Sequence, residues 1–465
     1  MKPSIRLSRL HFIGIGGSGM SVLAEVLSAW GFRVSGSDGQ ASPALEHLKT
    51  LGMRVEAGHR SENVGEADVV VYSSAVPQDN PELAEARRRG IPAIKRAEML
   101  GEALRGKYPL AVSGTHGKTT TTTMLGRIWL LAGKDPTLLA GGTARGENLS
   151  AVAGQGQVLI VEADEFDRSF LAMRPACAII GNIDSDHLDC YGTLDAVREA
   201  FIAFAESLPF YGLVVANRDD AGVQVILPRL NRRVVTYGLS ADAEYRAVDI
   251  RVDGPGMTFT LERKGAKLGN LSLQVPGIHN VYNALGAAAL SLEEGLTFKQ
   301  VEKGLREYPG VKRRLEFRGE KSGVKFYDDY AHHPTEVAAA LQAARGLITS
   351  LPDGNGRLIA VFQPHLYSRT QQLYTEFARA FSACDELFVT RVYAAREKPI
   401  AGVEGDLIAA EARNGSLPAD KVHYVTDLDS LPRLVAAKLR AGDLVVTMGA
   451  GDIGQRGTGI QEALA

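Results

Sequence analysis

Leu110-Ala111-Val112-Ser113-Gly114-Thr115-His116-Gly117-Lys118-Thr119-Thr120 is the stretch that decides how this chain is read. An apolar run enters a glycine-bearing loop, and a helical pattern leaves it from Thr121 to Leu131. A strand, a glycine loop and a helix start point several backbone N–H groups into one small space, which suits a phosphate chain. In that reading Lys118 reaches the β- and γ-phosphates and the Thr119 hydroxyl helps hold Mg²⁺. ATP is therefore expected against Gly114, Thr115, His116, Gly117, Lys118, Thr119 and Thr120. The pattern is not the usual G-x-x-x-x-G-K-[ST], because Val112 stands at its first position and Gly114 comes two residues later. The bland alternative is a tight strand-to-helix turn with a surface lysine. The threonine run after Lys118 fits a nucleotide site better.

Outward from this loop, short apolar strands alternate with helical patterns on both sides, so the fold class expected is α/β with largely parallel sheets. Before it, strands are expected at Leu10–Ile15, Arg33–Ser37 and Asp68–Ser73, with helices near Ser21–Trp30 and Pro43–Leu51. Arg105-Gly106-Lys107-Tyr108-Pro109 reads as a linker. After it come strands at Val158–Glu162, Cys177–Asn182 and Leu213–Asn217, then helices near Asn280–Glu294 and Phe298–Glu307. Pro309-Gly310 breaks the pattern. A last segment carries strands at Lys325–Asp328, Arg357–Phe362, Glu386–Thr390 and Asp443–Met448. Three domains are expected: 1–106, 107–312 and 313–465.

Composition narrows the class. The chain has 465 residues, 45% of them hydrophobic and 23% charged, as in an ordinary soluble globular protein. A net charge of −2 argues against general binding to nucleic acid or to anionic membranes. Cys177, Cys190 and Cys384 are far apart and read as free thiols in a reducing compartment, with no zinc site. The apolar segment near the N-terminus is broken by Gly14, Gly16 and Gly17, unlike a signal peptide, and no apolar run is long enough to cross a bilayer. The cytoplasm is the expected location.

Gly14-x-Gly16-x-x-Gly19 follows a strand and precedes a helix, with Asp38 near the end of the next strand. This satisfies the dinucleotide fingerprint and, alone, would suggest an NAD-dependent oxidoreductase. The same geometry serves any pyrophosphate, including a nucleotide diphosphate-sugar. The second phosphate loop at Gly114 weakens the dehydrogenase reading.

Between the two glycine loops and the third segment lie further polar signals. Val161-Glu162-Ala163-Asp164-Glu165 ends a strand, and so does Asn182-Ile183-Asp184-Ser185-Asp186-His187-Leu188-Asp189. Carboxylates at strand carboxyl ends are placed to hold Mg²⁺ near a γ-phosphate. His187 alone could be a hydrogen-bonding loop residue; beside Glu162 and the phosphate loop it becomes a candidate metal ligand. In Pro276-Gly277-Ile278-His279-Asn280-x-x-Asn283, the two asparagines share a helix face, and Asn280 could simply be an N-cap.

Taken in order, Gly114–Thr120, Val161–Glu165, Asn182–Asp189, Pro276–Asn283, Lys312-Arg313-Arg314 and Asp328-Asp329-Tyr330-Ala331-His332-His333-Pro334-Thr335-Glu336 resemble the motifs of the Mur ligases. His11–Met20, Phe362-Gln363-Pro364-His365, Ser368-Arg369-Thr370 and Val392–Glu397 resemble the alanine-adding branch, and the resemblance covers nearly the whole chain. It implies a Rossmann-like UDP-binding domain, a central P-loop ATPase-type domain with a mostly parallel sheet, and a C-terminal Rossmann-like domain that closes on the site. It implies ATP-dependent joining of UDP-N-acetylmuramate to L-alanine through an acyl phosphate, with ATP and Mg²⁺ required. A monomer or weak homodimer is expected.

Carried over residue by residue, the resemblance makes Lys118, Glu162, His187 and His332 the catalytic set, with Thr119, Glu162 and His187 on Mg²⁺. Asn283 would contact adenine, and Arg313 or Arg314, with Asp328, would reach the nucleotide from the inter-domain side. Gly16, Gly17, Ser18, Gly19 and Met20 would cradle the UDP pyrophosphate, and Ser37, Asp38 and Ser73 are further candidates to bind that ligand. Tyr330, His332, His365 and Arg369 would line the amino-acid pocket, with Arg369 facing the alanine carboxylate. Two departures stand out. Related ligases carry a carbamylated lysine on the helix after the His187 motif, but Thr193–Pro209 contains no lysine, so no such modification is expected. Some relatives have arginine where Leu366 stands, which shifts carboxylate recognition towards Arg369. Rivals are a murein-peptide recycling ligase, folylpolyglutamate synthase, an NAD(P)-binding dehydrogenase and a regulatory nucleotide-binding module.

Overall fold

The computed structural model describes residues 7–142, 145, 150–186, 188–349, 355–395 and 397–464. The chain divides into two compact units: 1–248 with 260–271 and 282–308, and 249–259 with 272–281 and 309–465.

The first unit begins with a five-stranded parallel sheet in the order Arg54–Ala57, Arg33–Asp38, Arg9–Ile13, Val69–Tyr72, Ala93–Lys95. Arg9–Ile13 lies at the switch point, with earlier and later strands diverging on either side, and a ligand crevice forms at such a point. The helix that follows spans Ser18–Ala29 and buries Met20, Val22, Leu23, Ala24, Val26 and Leu27. It starts three residues before the expected Ser21, because the Gly17 carbonyl already accepts the N–H of Met20 and of Ser21.

The same unit holds most of a ten-stranded sheet. Tyr108–Ser113 runs between Cys177–Ile180 and Val158–Glu162, parallel to both. Tyr108 and Pro109 therefore belong to this strand and not to a linker; Pro109 sits near the strand start, where its missing N–H is tolerated. On the far side of Cys177–Ile180 the sheet continues through Leu213–Asn217 and Arg233–Gly238, parallel, to Tyr245–Asp253, Gly256–Arg263 and Ala266–Leu273. The last three strands went unread in the sequence. Two-residue connections at Gly254-Pro255 and Lys264-Gly265 join them, which only antiparallel neighbours allow. The helix after the Gly114 loop runs Lys118–Leu131, so Lys118 is its first residue.

The second unit carries a six-stranded sheet ordered Glu316–Lys321, Val324–Asp329, Leu444–Met448, Leu358–Phe362, Glu386–Thr390, Val422–Val425. Only the first pair is antiparallel. Leu358–Phe362 is apolar throughout and fully buried, as expected of a central parallel strand covered on both faces. Among the described residues no helix is long and apolar enough to cross a membrane.

Candidate functional site

The Gly114–Lys118 loop is clamped from the end of the neighbouring strand. Asn182 Oδ1 accepts the His116 N–H at 2.7 Å, and Asn182 Nδ2 donates to the His116 carbonyl at 3.0 Å. Thr115 donates its N–H to the Asn182 carbonyl at 3.1 Å, and its Oγ1 accepts the Asp184 N–H at 3.0 Å. His116 Nε2 lies 3.2 Å from Asp184 Oδ2. Gly117 has φ +77 and lies so close to Asn283 that an added Cβ would stand 2.6 Å from Asn283 Oδ1. Only glycine fits there. Asn283 Oδ1 also accepts from Thr121 Oγ1 at 3.1 Å, so this side chain braces the loop. Asn280 lies inside the helix Ile278–Glu293 and donates to the Pro276 carbonyl at 2.7 Å, so it is not an N-cap.

Two side-chain pairs sit at the loop's end. Thr119 Oγ1 donates to Glu162 at 2.9 Å, and Glu162 also accepts the Gly141 N–H at 2.8 Å. Burial pushes the Glu162 carboxyl above its ordinary pKa, against the pull of Gly141 and Lys118. Lys118 Nζ donates to Glu165 Oε2 at 2.8 Å. Burial alone would lower the Lys118 pKa, but Glu165 and then Asp164 more than offset it, and the ammonium is held well above its usual range. Thr120 is buried in the helix's first turn. His187 lies outside the described residues.

The Gly14 loop is built differently from the plain fingerprint. Asp38 Oδ2 accepts the Gly16 N–H at 2.9 Å, so the carboxylate fixes the loop itself. Ser18 and Gly19 open the helix and carry first-turn N–H groups with no intrahelical partner, the usual anion donors. Met20 is 2% exposed, which leaves only its backbone for a ligand. Ser73 borders Gly14. Ser37 is fully buried and donates to Glu82 Oε2 at 2.6 Å, so it faces a polar cluster behind the loop. Glu82 also accepts from His11 Nε2, at 3.1 Å, and from Asn63 Nδ2, at 2.7 Å. Burial would raise its pKa, but these hydrogen bonds win and hold it at about 2. His59 Nδ1 lies 2.9 Å from Ser37 Oγ. Because Ser37 gives its one proton to the ionised Glu82, its Oγ accepts from His59 Nδ1. Arg96 lies beside Gly19, where an added Cβ would meet its guanidinium at 2.8 Å. His59, Glu82 and Arg96 were missed in the sequence, where isolated polar residues carry no periodic or motif signal.

In the second unit Arg313 donates from Nε to Asp328 Oδ2 at 3.1 Å and from Nη2 to the Gly449 carbonyl at 2.6 Å. Burial raises the Asp328 pKa, with Arg313 pulling the other way. The guanidinium groups of Arg313 and Arg314 lie 5.1 and 5.5 Å from the Tyr330 ring centroid, within cation–π range. His332 meets Tyr330 edge-on at 5.2 Å and His365 at 5.9 Å, and His365 stacks on Tyr393 at 5.8 Å. These contacts bring together Tyr330, His332, His365 and Tyr393. His332 Nδ1 lies 3.0 Å from the Tyr330 carbonyl, an acceptor, so that nitrogen carries the ring proton and Nε2 is bare. Burial lowers the His332 pKa; Glu336 opposes this and the charge of Arg369 adds to it. Leu366 has φ +71, a strained backbone for leucine, at the N-cap of the helix Tyr367–Ala380.

Three family models match in sequence: "Mur ligase family, catalytic domain" at residues 9–108, "Mur ligase middle domain" at 112–291, and "Mur ligase, glutamate ligase domain" at 313–451. The chain is similar to the UDP-N-acetylmuramate–L-alanine ligase of Trichlorobacter lovleyi, 45% identical over 98% of this chain and 99% of that one. It is similar to the Salinibacter ruber protein of the same name, 47% identical over 96% of this chain and 93% of that one. Among solved structures, the UDP-N-acetylmuramate–alanine ligase of Thermotoga maritima superposes with a TM-score of 0.82 at 30% identity, covering 98% of both chains. A murein peptide ligase from Psychrobacter arcticus gives 0.71 at 25% identity, again over 98% of both.

Proposed function

The chain belongs to the Mur ligase family, and from that premise we propose that it joins UDP-N-acetylmuramate to L-alanine at the expense of ATP. The observation that carries this reading is the Gly114 loop, where Lys118 and Thr119 meet Glu165 and Glu162. A hydroxyl and a carboxylate in contact form an oxygen donor pair suited to Mg²⁺. Thr119 and Glu162, with His187, would hold the ion, which when bound neutralises charge on the transferring phosphoryl group.

Lys118 supplies positive charge at the phosphates. The lactyl carboxylate oxygen attacks the γ-phosphorus, the bond to the bridging oxygen breaks, and ADP leaves. The alanine amine then attacks the acyl phosphate carbon, and phosphate leaves as the amide forms. The amine must first lose a proton. His332 is neutral with Nε2 bare, so it is the group assigned to accept that proton. Arg369 is assigned to the alanine carboxylate, since Leu366 offers no charge there. Asn283, Arg313 and Asp328 are assigned to the nucleotide, and Gly16–Met20 with Asp38 and Ser73 to the UDP diphosphate. The domain bounds 1–106, 107–312 and 313–465, a monomer or weak homodimer, and a cytoplasmic location complete the proposal.

Phosphate release from ATP tests it, with UDP-N-acetylmuramate present or omitted and single amino acids varied. Release that requires both the sugar nucleotide and L-alanine is expected. Release with a tripeptide instead would point to recycling, and no dependence on the sugar nucleotide would overturn the assignment of the first domain.

A further inference from the structure

Lys118 has three ammonium protons, and all three are committed within the chain. They go to the Gly114 carbonyl at 2.8 Å, the Thr115 carbonyl at 3.1 Å and Glu165 Oε2 at 2.8 Å. The pair is secluded: the Lys118 side chain is 12% exposed and that of Glu165 is 2%. A buried ion pair is far less screened than a surface one. A phosphate oxygen can gain a proton from this ammonium only if one of the three acceptors gives it up. Glu165 is the only one of them that carries charge and the only one outside the loop.

The backbone around Glu165 is firmly held. Tyr191 donates its hydroxyl to the Glu165 carbonyl at 2.6 Å, and Arg168 donates its N–H to the same oxygen at 3.0 Å. Phe170 stacks on Phe204 at 4.8 Å just beyond. Asp167 and Arg168, with φ of +53 and +54, make a strained turn immediately after Glu165, and strain of this kind persists only where surrounding packing enforces it. The main chain that carries Glu165 is thus held in place, so its carboxylate stays within reach of the loop while Lys118 has a long flexible stem.

We propose that Glu165 is an anionic latch on Lys118, a positioning residue that competes with the terminal phosphates of the nucleotide for the same ammonium. Thr119 and Glu162 form a separate pair and are not part of the latch. The proposal rests on the assignment of the loop to ATP. It differs from a merely structural role for Glu165, because a latch weakens binding of β- and γ-phosphates selectively and leaves the rest of the nucleotide untouched.

The test compares the full-length wild type with Glu165→Gln, which keeps shape and removes charge. Affinities for the β,γ-imido analogue of ATP, for ADP and for AMP are measured calorimetrically in Mg²⁺. The expected result is that Glu165→Gln binds the analogue and ADP tighter by about tenfold, the scale of one charge-assisted contact, with AMP unchanged. KM for ATP should fall with no rise in kcat. Unchanged or weaker analogue binding at unchanged AMP affinity overturns the latch and makes Glu165 a support for Lys118. If Glu165→Gln does not fold, Glu165→Asp carries the test, since it withdraws the carboxylate by one methylene: selective tightening supports the latch and its absence overturns it. If the wild type binds none of the three ligands, the ATP assignment falls and the latch falls with it.

Discussion

Asn182 grips His116 at both ends of one peptide group, accepting its N–H at 2.7 Å and donating to its carbonyl at 3.0 Å. A side chain at a strand end thereby shapes a loop 66 residues away in sequence. Asn182→Ala removes both bonds. The expected outcome is a fall of about ten- to a hundredfold in kcat/KM for ATP, because loop donors misplaced by a fraction of an ångström lose much of their value. Steady-state kinetics with ATP varied checks this, and an unchanged kcat/KM would show that the clamp is not needed.

Lys118→Ala deletes the one cation held inside the loop. Turnover is expected to drop by at least about a hundredfold, the cost of losing charge stabilisation of a transition state. Single-turnover formation of the amide is the measurement. Near-normal rates would remove Lys118 from phosphoryl transfer.

Glu82 gathers His11, Ser37 and Asn63 around one fully buried carboxylate. Glu82→Ala leaves those donors without their acceptor. The expected loss is about 3 kcal/mol or more of folding free energy, read from the first unfolding transition in urea. A change under about 0.5 kcal/mol would mean that water replaces the carboxylate at no cost.

His279 gives a pH dependence with a definite sign. Burial, then Arg314, lowers its imidazole from 6.5 to about 4, with Glu336 opposing. The folded protein then binds fewer protons than the unfolded chain between about pH 6.5 and 4, so stability falls as pH falls through that window. Asp329, raised by burial to about 6, titrates in the opposite sense, so the His279 contribution is read by difference. Relative to His279→Gln, the wild type should lose up to about 3 kcal/mol on going from pH 7 to pH 4. Parallel stability curves for the two proteins across that range would contradict the assignment.

Much of the fold was legible because its signals are local. Apolar runs such as Leu213–Asn217 and Glu386–Thr390 match their strands residue for residue. Element ends were less legible. The helix at Ser18 and the strand at Tyr108 both begin earlier than read, since a glycine N-cap and a strand-opening proline look like loop in sequence. The three strands between Tyr245 and Leu273 were missed because polar residues interrupt their apolar ones throughout, so no apolar run announces them.

By itself the sequence determined the α/β class, the two glycine loops and the family, because each depends on residues close together in the chain or on motifs in a fixed order. It placed Lys118, Thr119 and Glu162 in one reading, and they do meet or adjoin. Only the tertiary structure decided that Asp38 braces Gly16, that Asn182 clamps His116, that Glu82 turns the Ser37 hydroxyl so that it accepts from His59, and that Glu165 holds Lys118. Each of these joins residues on different elements. Hydrogen-bond direction and burial arise when strands come into register, and no spacing along the chain encodes them.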